Sequence, residues 1–357
     1  MPEVRVDEVQ RFMEEALRAA GAPPSEAEAH AALLLHADTT GHFSHGLNRL
    51  VFYINDIKKG AVNANAKPTI LKEAAATAWV DGGSGLGATV GNFCMDLAIK
   101  KARESGVGVV SAKGCTHFGM AGYWALKAER QGLIGLAFTN SSPVMVPTRA
   151  KDAAMGTNPI AFFAPAANGD SLGVDMASTA VALGKIEVQI HKGEPIPEGW
   201  AYGPDGKPTT DAQLAFDTYR LMPLGGMEAT SGYKGYGLSA AIEVLCGGLS
   251  GANMSYQNGP WSIEGAASAP NLGQCFMAID PGQFAPGFGE RIAAGLQHWR
   301  SLEPMDPSLP VLAPGDKERA NAEQTKKKGT ISYARNMIDM YARVAQHLGV
   351  KPMEILE

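Results

Sequence analysis

Apolar residues recur at helical spacing from the start of the chain. Val9, Phe12, Met13, Ala16 and Ala20 fall on one face of a first helix. A second helix is predicted after Pro23 and Pro24, with Ser25 and Glu28 placed to form a capping box. A third is predicted over 44–60, with Leu47, Leu50, Val51, Ile54 and Ile57 on one side. From Thr69 the pattern changes to short apolar runs, at 77–80, 107–110 and 133–138, alternating with helical stretches at 88–104 and 120–131. That alternation predicts an α/β region. Further strands are expected at 159–163, 172–176 and 274–279, and helices at 180–188, 234–249 and 286–300. Beyond residue 140 the order is irregular, so a mixed sheet is expected and a doubly wound parallel sheet is not. A proline-rich stretch at 303–314 leads to a charged helical tail over 317–348. The tail carries no core of its own and is expected to pack back on the N-terminal helices. The division follows: 1–70 helical, 71–300 α/β, and 301–357 returning to the helical part.

Composition narrows the function classes. The chain has 357 residues, 45% hydrophobic and 19% charged, enough apolar side chains to bury a large core. A net charge of -5 with scattered Lys and Arg leaves no basic patch for nucleic acid. No apolar run reaches membrane-spanning length and MPEVRVDEVQ has no apolar signal core, so a cytoplasmic protein is expected. Cys94, Cys115, Cys246 and Cys275 form no C-x-x-C pair and read as free, buried thiols.

Four features could carry chemistry. In ADTTGHFSHGLNR, Ser44 as a helix cap would place His45 and Arg49 four residues apart on one face. An imidazole that moves a proton beside a guanidinium that grips a carboxylate is what oxidation of a 2-hydroxy acid requires. The same segment also reads as an ordinary capped helix start, or as a metal site built from Asp38, His42 and His45. In GCTHFGMAGYW, His117 occupies a glycine-rich turn between a strand and a helix, where α/β sites form, or is simply a loop histidine. The glycines 83, 85 and 87 in DGGSGLGATVG have the context of a phosphate loop but not its spacing, and the next strand ends without an acidic residue for a ribose. No G-x-x-x-x-G-K-[ST] is present, which disfavours phosphoryl transfer. Finally, polar turns at 139–141, 156–159, 175–178 and 231–235 are each unremarkable, yet several on one chain suit an extended polar ligand such as a dinucleotide.

The ordered segments SHGLNR, HFGMAGYW, TNSSP, GTNPIAF, DMASTAVALGKI, IPEGWA, GKPTTD and GYKGYGL, continued by GQCFMAIDP and APGDKE, resemble the type 2 malate/L-lactate dehydrogenase family. That group includes malate, lactate, sulfolactate and ureidoglycolate dehydrogenases and cyclic imino acid reductases. The resemblance implies a non-Rossmann, mixed-sheet NAD(P)-binding domain plus a helical domain formed by both chain ends, assembled as a homodimer with its site between domains. It implies Ser44 and His45 as a catalytic pair, Arg49 on the substrate carboxylate, and His117 at the nicotinamide end. Thr157 and Asn158 are expected on the substrate. Gly119, Met120, Asn140, Asp175, Met176, Ala177, Lys234, Pro314 and Gly315, with His117, are expected on NAD or NADP. Tyr233 and Asp316 depart from common family residues (His and Glu) and leave the choice between NAD and NADP open. The expected activity interconverts a small 2-hydroxy acid and its 2-oxo acid, malate and oxaloacetate first, without a metal. Which histidine is the acid/base stays open, with His45 favoured. Outside this class stand a metal-dependent hydrolase or aldolase and a non-catalytic binding protein.

Overall fold

The computed structural model describes residues 1–356. The chain opens with a short strand, β1 (Glu3–Arg5), and the helices α1 (Val6–Ala20) and α2 (Pro24–Thr39). α1 buries Val9, Phe12, Met13 and Ala16, the face its periodicity marks. α2 starts on Pro24 with no side-chain cap, so the expected Ser25–Glu28 capping box is absent; Ser25 Oγ instead lies 3.5 Å from Glu26 Oε1. The expected third helix over 44–60 is also corrected. Two single 3-10 turns, Phe43–His45 and Leu47–Arg49, precede α3 (Leu50–Lys59), and Ser44 caps nothing. The break falls at Gly46, whose Cα lies against Asp38: a Cβ there would come within 1.9 Å of Asp38 Oδ1.

The α/β region runs through β2 (Thr69–Glu73), β3 (Thr77–Asp81), α4 (Gly87–Ser105), β4 (Val107–Cys115), α5 (Ala121–Glu129), β5 (Ile134–Thr139), β6 (Ile160–Pro165) and β7 (Ser171–Met176). It continues with α6 (Leu183–Lys192), the two-residue strands β8 (Ala201–Tyr202) and β9 (Pro208–Thr209), and α7 (Ala212–Thr218). Next come α8 (Gly232–Glu243), prolonged by a π turn over Val244–Gly248, and then β10 (Leu272–Ile279) and α9 (Phe288–Arg300). The charged tail is two helices, α10 (Asp316–Lys328) and α11 (Arg335–Leu348). Between them β11 (Thr330–Ser332) pairs antiparallel with β1, Val4 opposite Ile331, which ties the chain ends together.

The sheet order is β2-β3-β4-β10-β5-β6-β7. Only β3 and β4 run parallel; the late strand β10 enters between β4 and β5, antiparallel to both. The mixed sheet expected from the irregular element order is therefore present. Alternate residues face opposite layers. Val110, Ala137 and Phe276 join α4 and α5 in one core, while Val109, Leu136 and Met277 meet Ile242 and Cys246 of α8 and its π turn in another. A separate core unites α1–α3 with Ile331, Tyr333, Ile338 and Tyr341, so both ends of the chain do bury one another. All four cysteines are free and buried. No helix among the described residues is long and apolar enough to cross a membrane.

Candidate active site

Ser44, His45, Arg49 and His117 come together where the helical core meets the sheet. His117 follows β4, and its backbone lies directly on α4: a Cβ at Gly87 would stand 2.2 Å from His117 O. That contact accounts for a glycine in the 83–87 run, which serves close packing of the His117 turn and not a phosphate loop. The rings of His45 and His117 stack 5.9 Å apart at 25°. Ser44 Oγ lies 2.9 Å from His45 Nδ1, the bond that replaces the expected cap. Arg49 stands over the Phe52 ring, 4.8 Å from its centre, and its side chain is only 13% exposed. Gly184 at the start of α6 closes the group, since a Cβ there would meet Ser44 Cβ at 2.9 Å and Arg49 Nη2 at 3.9 Å. The nearest carboxylate to Arg49 is Glu187, also on α6, at 4.0 Å, too far for a hydrogen bond. The guanidinium thus keeps its donors for an incoming acid.

Both histidines are neutral in this surrounding. Burial, then the charges of Arg49 and His42, push His45 down to about 3. Burial, with His45 and Arg49 nearby, holds His117 well below the ordinary imidazole range. A neutral ring can accept a hydroxyl proton or donate a hydrogen bond, and an anionic ligand on Arg49 would offset part of the depression.

Three side chains of this site carried no functional reading in the sequence. Tyr53 sits on the apolar face of α3, its hydroxyl 2.6 Å from His117 Nδ1. Trp261 stacks on His117 at 4.2 Å and 22°. Asp56 holds Trp261 in place, accepting its Nε1–H at 2.8 Å and the Ala266 N–H at 2.7 Å. Tyr53 had one usable signal, its place four residues after Arg49 on the same helical face. The Asp56–Trp261 pair spans 205 residues and had none.

The remaining expected positions divide in two. Gly119 (φ 72°) turns its N–H to His117 Nδ1 at 3.2 Å, and Met120 caps α5. Asp175 at the end of β7 is largely buried, which raises its carboxyl to about 7, and accepts the Gly122 N–H at 2.9 Å, beside the positive end of α5. Met176 and Ala177 follow it. Pro314 and Gly315 lie along the same strand, Pro314 O accepting the Gly173 N–H at 3.1 Å. Asp316 secures that turn through Arg300 and Arg319, and the Arg300 pair holds its carboxyl down at about 2. Lys234 is exposed near the start of α8; its neighbour Gly235 packs on Leu224, whose N–H bonds to Ser178 O. Thr157, Asn158 and Asn140 are a different matter. Thr157 is occupied with Ser141 and Ser178. The Asn140 and Asn158 side chains are fully buried and spend their amides on Glu243, at 3.2 Å and 2.9 Å, with Asn140 also accepting Gly273 N–H. Their side-chain amides brace Glu243 in this conformation, and the expected ligand contacts of Asn140, Thr157 and Asn158 stay expectations.

The metal alternative does not assemble. Asp38 Oδ2 accepts the Leu47 N–H at 2.9 Å and the Tyr333 O–H at 2.7 Å, and His45 Nδ1 is taken by Ser44. Among the described residues no three His, Cys, Asp or Glu side chains form a metal-binding group.

The malate/L-lactate dehydrogenase family pattern matches residues 4–340. The chain is 37% identical to a malate dehydrogenase of Pyrococcus horikoshii over 97% of its own length and 95% of that protein's. It is 37% identical to a (2R)-3-sulfolactate dehydrogenase (NADP(+)) of Chromohalobacter salexigens over 79% of this chain and 82% of that one. Its fold superposes on the crystal structure of malate dehydrogenase from Entamoeba histolytica with a TM-score of 0.92 at 29% identity, covering 98% of this chain and 99% of the other. With its motifs in order, its chain ends joined in one core and its histidines and arginine gathered in one site, the protein belongs to the malate/L-lactate dehydrogenase family.

Proposed function

We propose that this oxidoreductase transfers hydride between a nicotinamide cofactor, NAD or NADP, and C2 of a small 2-hydroxy acid, with malate and oxaloacetate as the first substrate pair and sulfolactate the next. The observation that carries the reading is the grouping of a buried guanidinium with unspent donors and two neutral imidazoles. Arg49 binds the substrate carboxylate as a two-pronged donor. His45, paired to the Ser44 hydroxyl, takes the proton from the substrate hydroxyl on oxidation and returns it on reduction. His117 polarises the same oxygen. Trp261, Phe52 and Tyr53 shield the group from water.

The chain's own residues fit the cofactor. Asp175 offers a partly buried carboxyl group suited to ribose hydroxyls, and the N–H groups opening α5 at Met120 and Ala121 suit a pyrophosphate. Gly315 (φ 95°) lets the Pro314–Gly315 turn lie flat on β7; a Cβ there would meet Gly173 N at 3.1 Å. Bound there, the nicotinamide supplies the hydride acceptor or donor. We further propose domain limits near residues 70 and 300 and a homodimer. The exposed apolar side chains Tyr233, Val244, Leu249 and Tyr256 along α8 and the turns after it are the candidate contact. Four buried free thiols accord with a cytoplasmic location. NADH and NADPH oxidation with oxaloacetate, pyruvate, sulfopyruvate and cyclic imines tests the activity. Turnover with a 2-oxo acid is expected, and none across the panel with either cofactor overturns it. Light scattering at micromolar concentration tests the dimer.

A further inference from the structure

We infer that Tyr53 is a positioning residue which, with the Gly119 amide, locks His117 in the tautomer carrying its proton on Nε2, so that His117 donates to the substrate oxygen and leaves proton transfer to His45. This deepens the hydride-transfer reading and rests on it.

Two groups converge on His117 Nδ1: the Tyr53 hydroxyl at 2.6 Å and the Gly119 N–H at 3.2 Å. A hydroxyl can donate or accept, but an amide N–H has no lone pair and can only donate. Nδ1 must therefore present its own lone pair, and a neutral imidazole then carries its hydrogen on Nε2. Neither partner is free to drift. The Tyr53 ring is fully buried, with the His30 ring edge-on at 4.2 Å and Trp261 at 5.6 Å. Gly119 holds a left-handed conformation, and a Cβ there would strike the Leu33 side chain at 2.7 Å, so the aim of its amide is set by the fold. Burial keeps the phenol in its protonated form, able to donate. Trp261 covers one face of the imidazole at 4.2 Å and His45 stands off the other at 5.9 Å, which leaves the Nε2 edge as the approach for a ligand.

His45 differs in one decisive respect. Its Nδ1 faces only the Ser44 hydroxyl, which can accept from Nδ1–H or donate to a bare Nδ1. That ring can change tautomer without losing its partner, as a group that takes and returns a proton must. The groups facing His117 are His45, Arg49, His30, Tyr53 and Trp261; none is a carboxylate that would draw a second proton onto the ring.

Nitrogen-15 spectra of the full-length protein labelled at histidine read the tautomer directly, with His117 assigned from the signals lost in His117→Gln. The expected wild-type spectrum shows His117 Nδ1 as a bare acceptor and Nε2 as an N–H. Tyr53→Phe keeps the ring and removes the hydroxyl. It should move the His117 signals toward a mixture of tautomers and lower kcat for 2-oxo acid reduction about 10- to 100-fold, with KM and the NADH Kd within about twofold. A proton on Nδ1 in the wild type, an unmoved spectrum in Tyr53→Phe, or wild-type kcat in that variant overturns the inference. The wild-type spectrum stands even if the variant fails to fold. It also needs no turnover, so an inactive protein would count against the hydride-transfer reading alone.

Discussion

Replacing Arg49 by lysine keeps a positive charge in the site and is expected to be damaging. The Arg49 side chain is only 13% exposed, its guanidinium rests 4.8 Å from the centre of the Phe52 ring, and it makes no hydrogen bond to Glu187 at 4.0 Å. Its donors are therefore available to a carboxylate, and the flat cation is already oriented by the ring beneath it. An ammonium is a point charge that cannot make two parallel bonds to a carboxylate and loses the stacking contact. Loss of a charge-assisted bidentate contact in a largely dry site costs roughly 2–4 kcal/mol, which is about a 30- to 1,000-fold drop in kcat/KM at about 1.4 kcal/mol per tenfold. The cofactor residues proposed above lie on β7, at the start of α5 and in the turn at Pro314, so NADH affinity should stay within about twofold. Steady-state kinetics with oxaloacetate, paired with fluorescence titration of NADH, measures both. A drop in kcat/KM of less than about fivefold, or an equal loss of NADH affinity, would refute the placement of the carboxylate on Arg49.

Glu187→Gln removes the one carboxylate near Arg49 and should lower KM for the 2-oxo acid several-fold; an unchanged or higher KM would show that Glu187 does not compete with substrate. For His45, held down at about 3, the neutral form persists far below pH 6.5, so kcat/KM for hydroxy acid oxidation should hold its value through that pH and fall only in more acid solution. His45→Ala should cut kcat by about 100-fold and abolish that acid limb, and initial rates across pH decide both. Burial raises Asp38 to about 7, so between the ordinary carboxyl range and pH 7 the folded chain keeps a proton that the unfolded chain has lost. Stability should then fall as pH rises through that window, by at most about 1.4 kcal/mol per unit. Asp38→Asn, which retains an acceptor for Leu47 N–H and Tyr333 O–H, should flatten the urea midpoint across the window; a parallel fall in both proteins would refute this. EDTA should leave turnover unchanged, and inactivation restored by a divalent cation would reopen metal chemistry.

Elements whose burial repeats along the sequence were legible in it. The buried stripe of α1, the strands β4, β5 and β10, and the helices α4 and α5 all follow from apolar periodicity, because one face of each meets a core whatever its partner is. Edges and short pieces were not. β2 is exposed along its whole length, β1 and β11 have three residues each, and neither leaves a periodic trace. The break at Gly46 was hidden for another reason. The sequence 44–60 has a continuous helical stripe, but the buried Asp38 carboxylate captures the Leu47 N–H, and the chain turns to meet it.

The sequence by itself determined the mixed α/β class, the absence of a phosphate loop, and, through its ordered motifs, a set of residues whose chemistry suits a 2-hydroxy acid. The first two are properties of local composition and spacing, and the last is what the resemblance of the ordered motifs implies. Only the tertiary structure decided that Ser44 turns to His45 instead of capping a helix, that Asn140 and Asn158 turn inward to Glu243, and that Tyr53 and Trp261 enclose His117. Apart from the adjacent Ser44 and His45, the hydrogen bonds of this kind join residues far apart in sequence, 64 positions for Tyr53 to His117 and 205 for Asp56 to Trp261. They exist only once the sheet and the two chain ends have brought those residues within about 3 Å, the reach of a hydrogen bond.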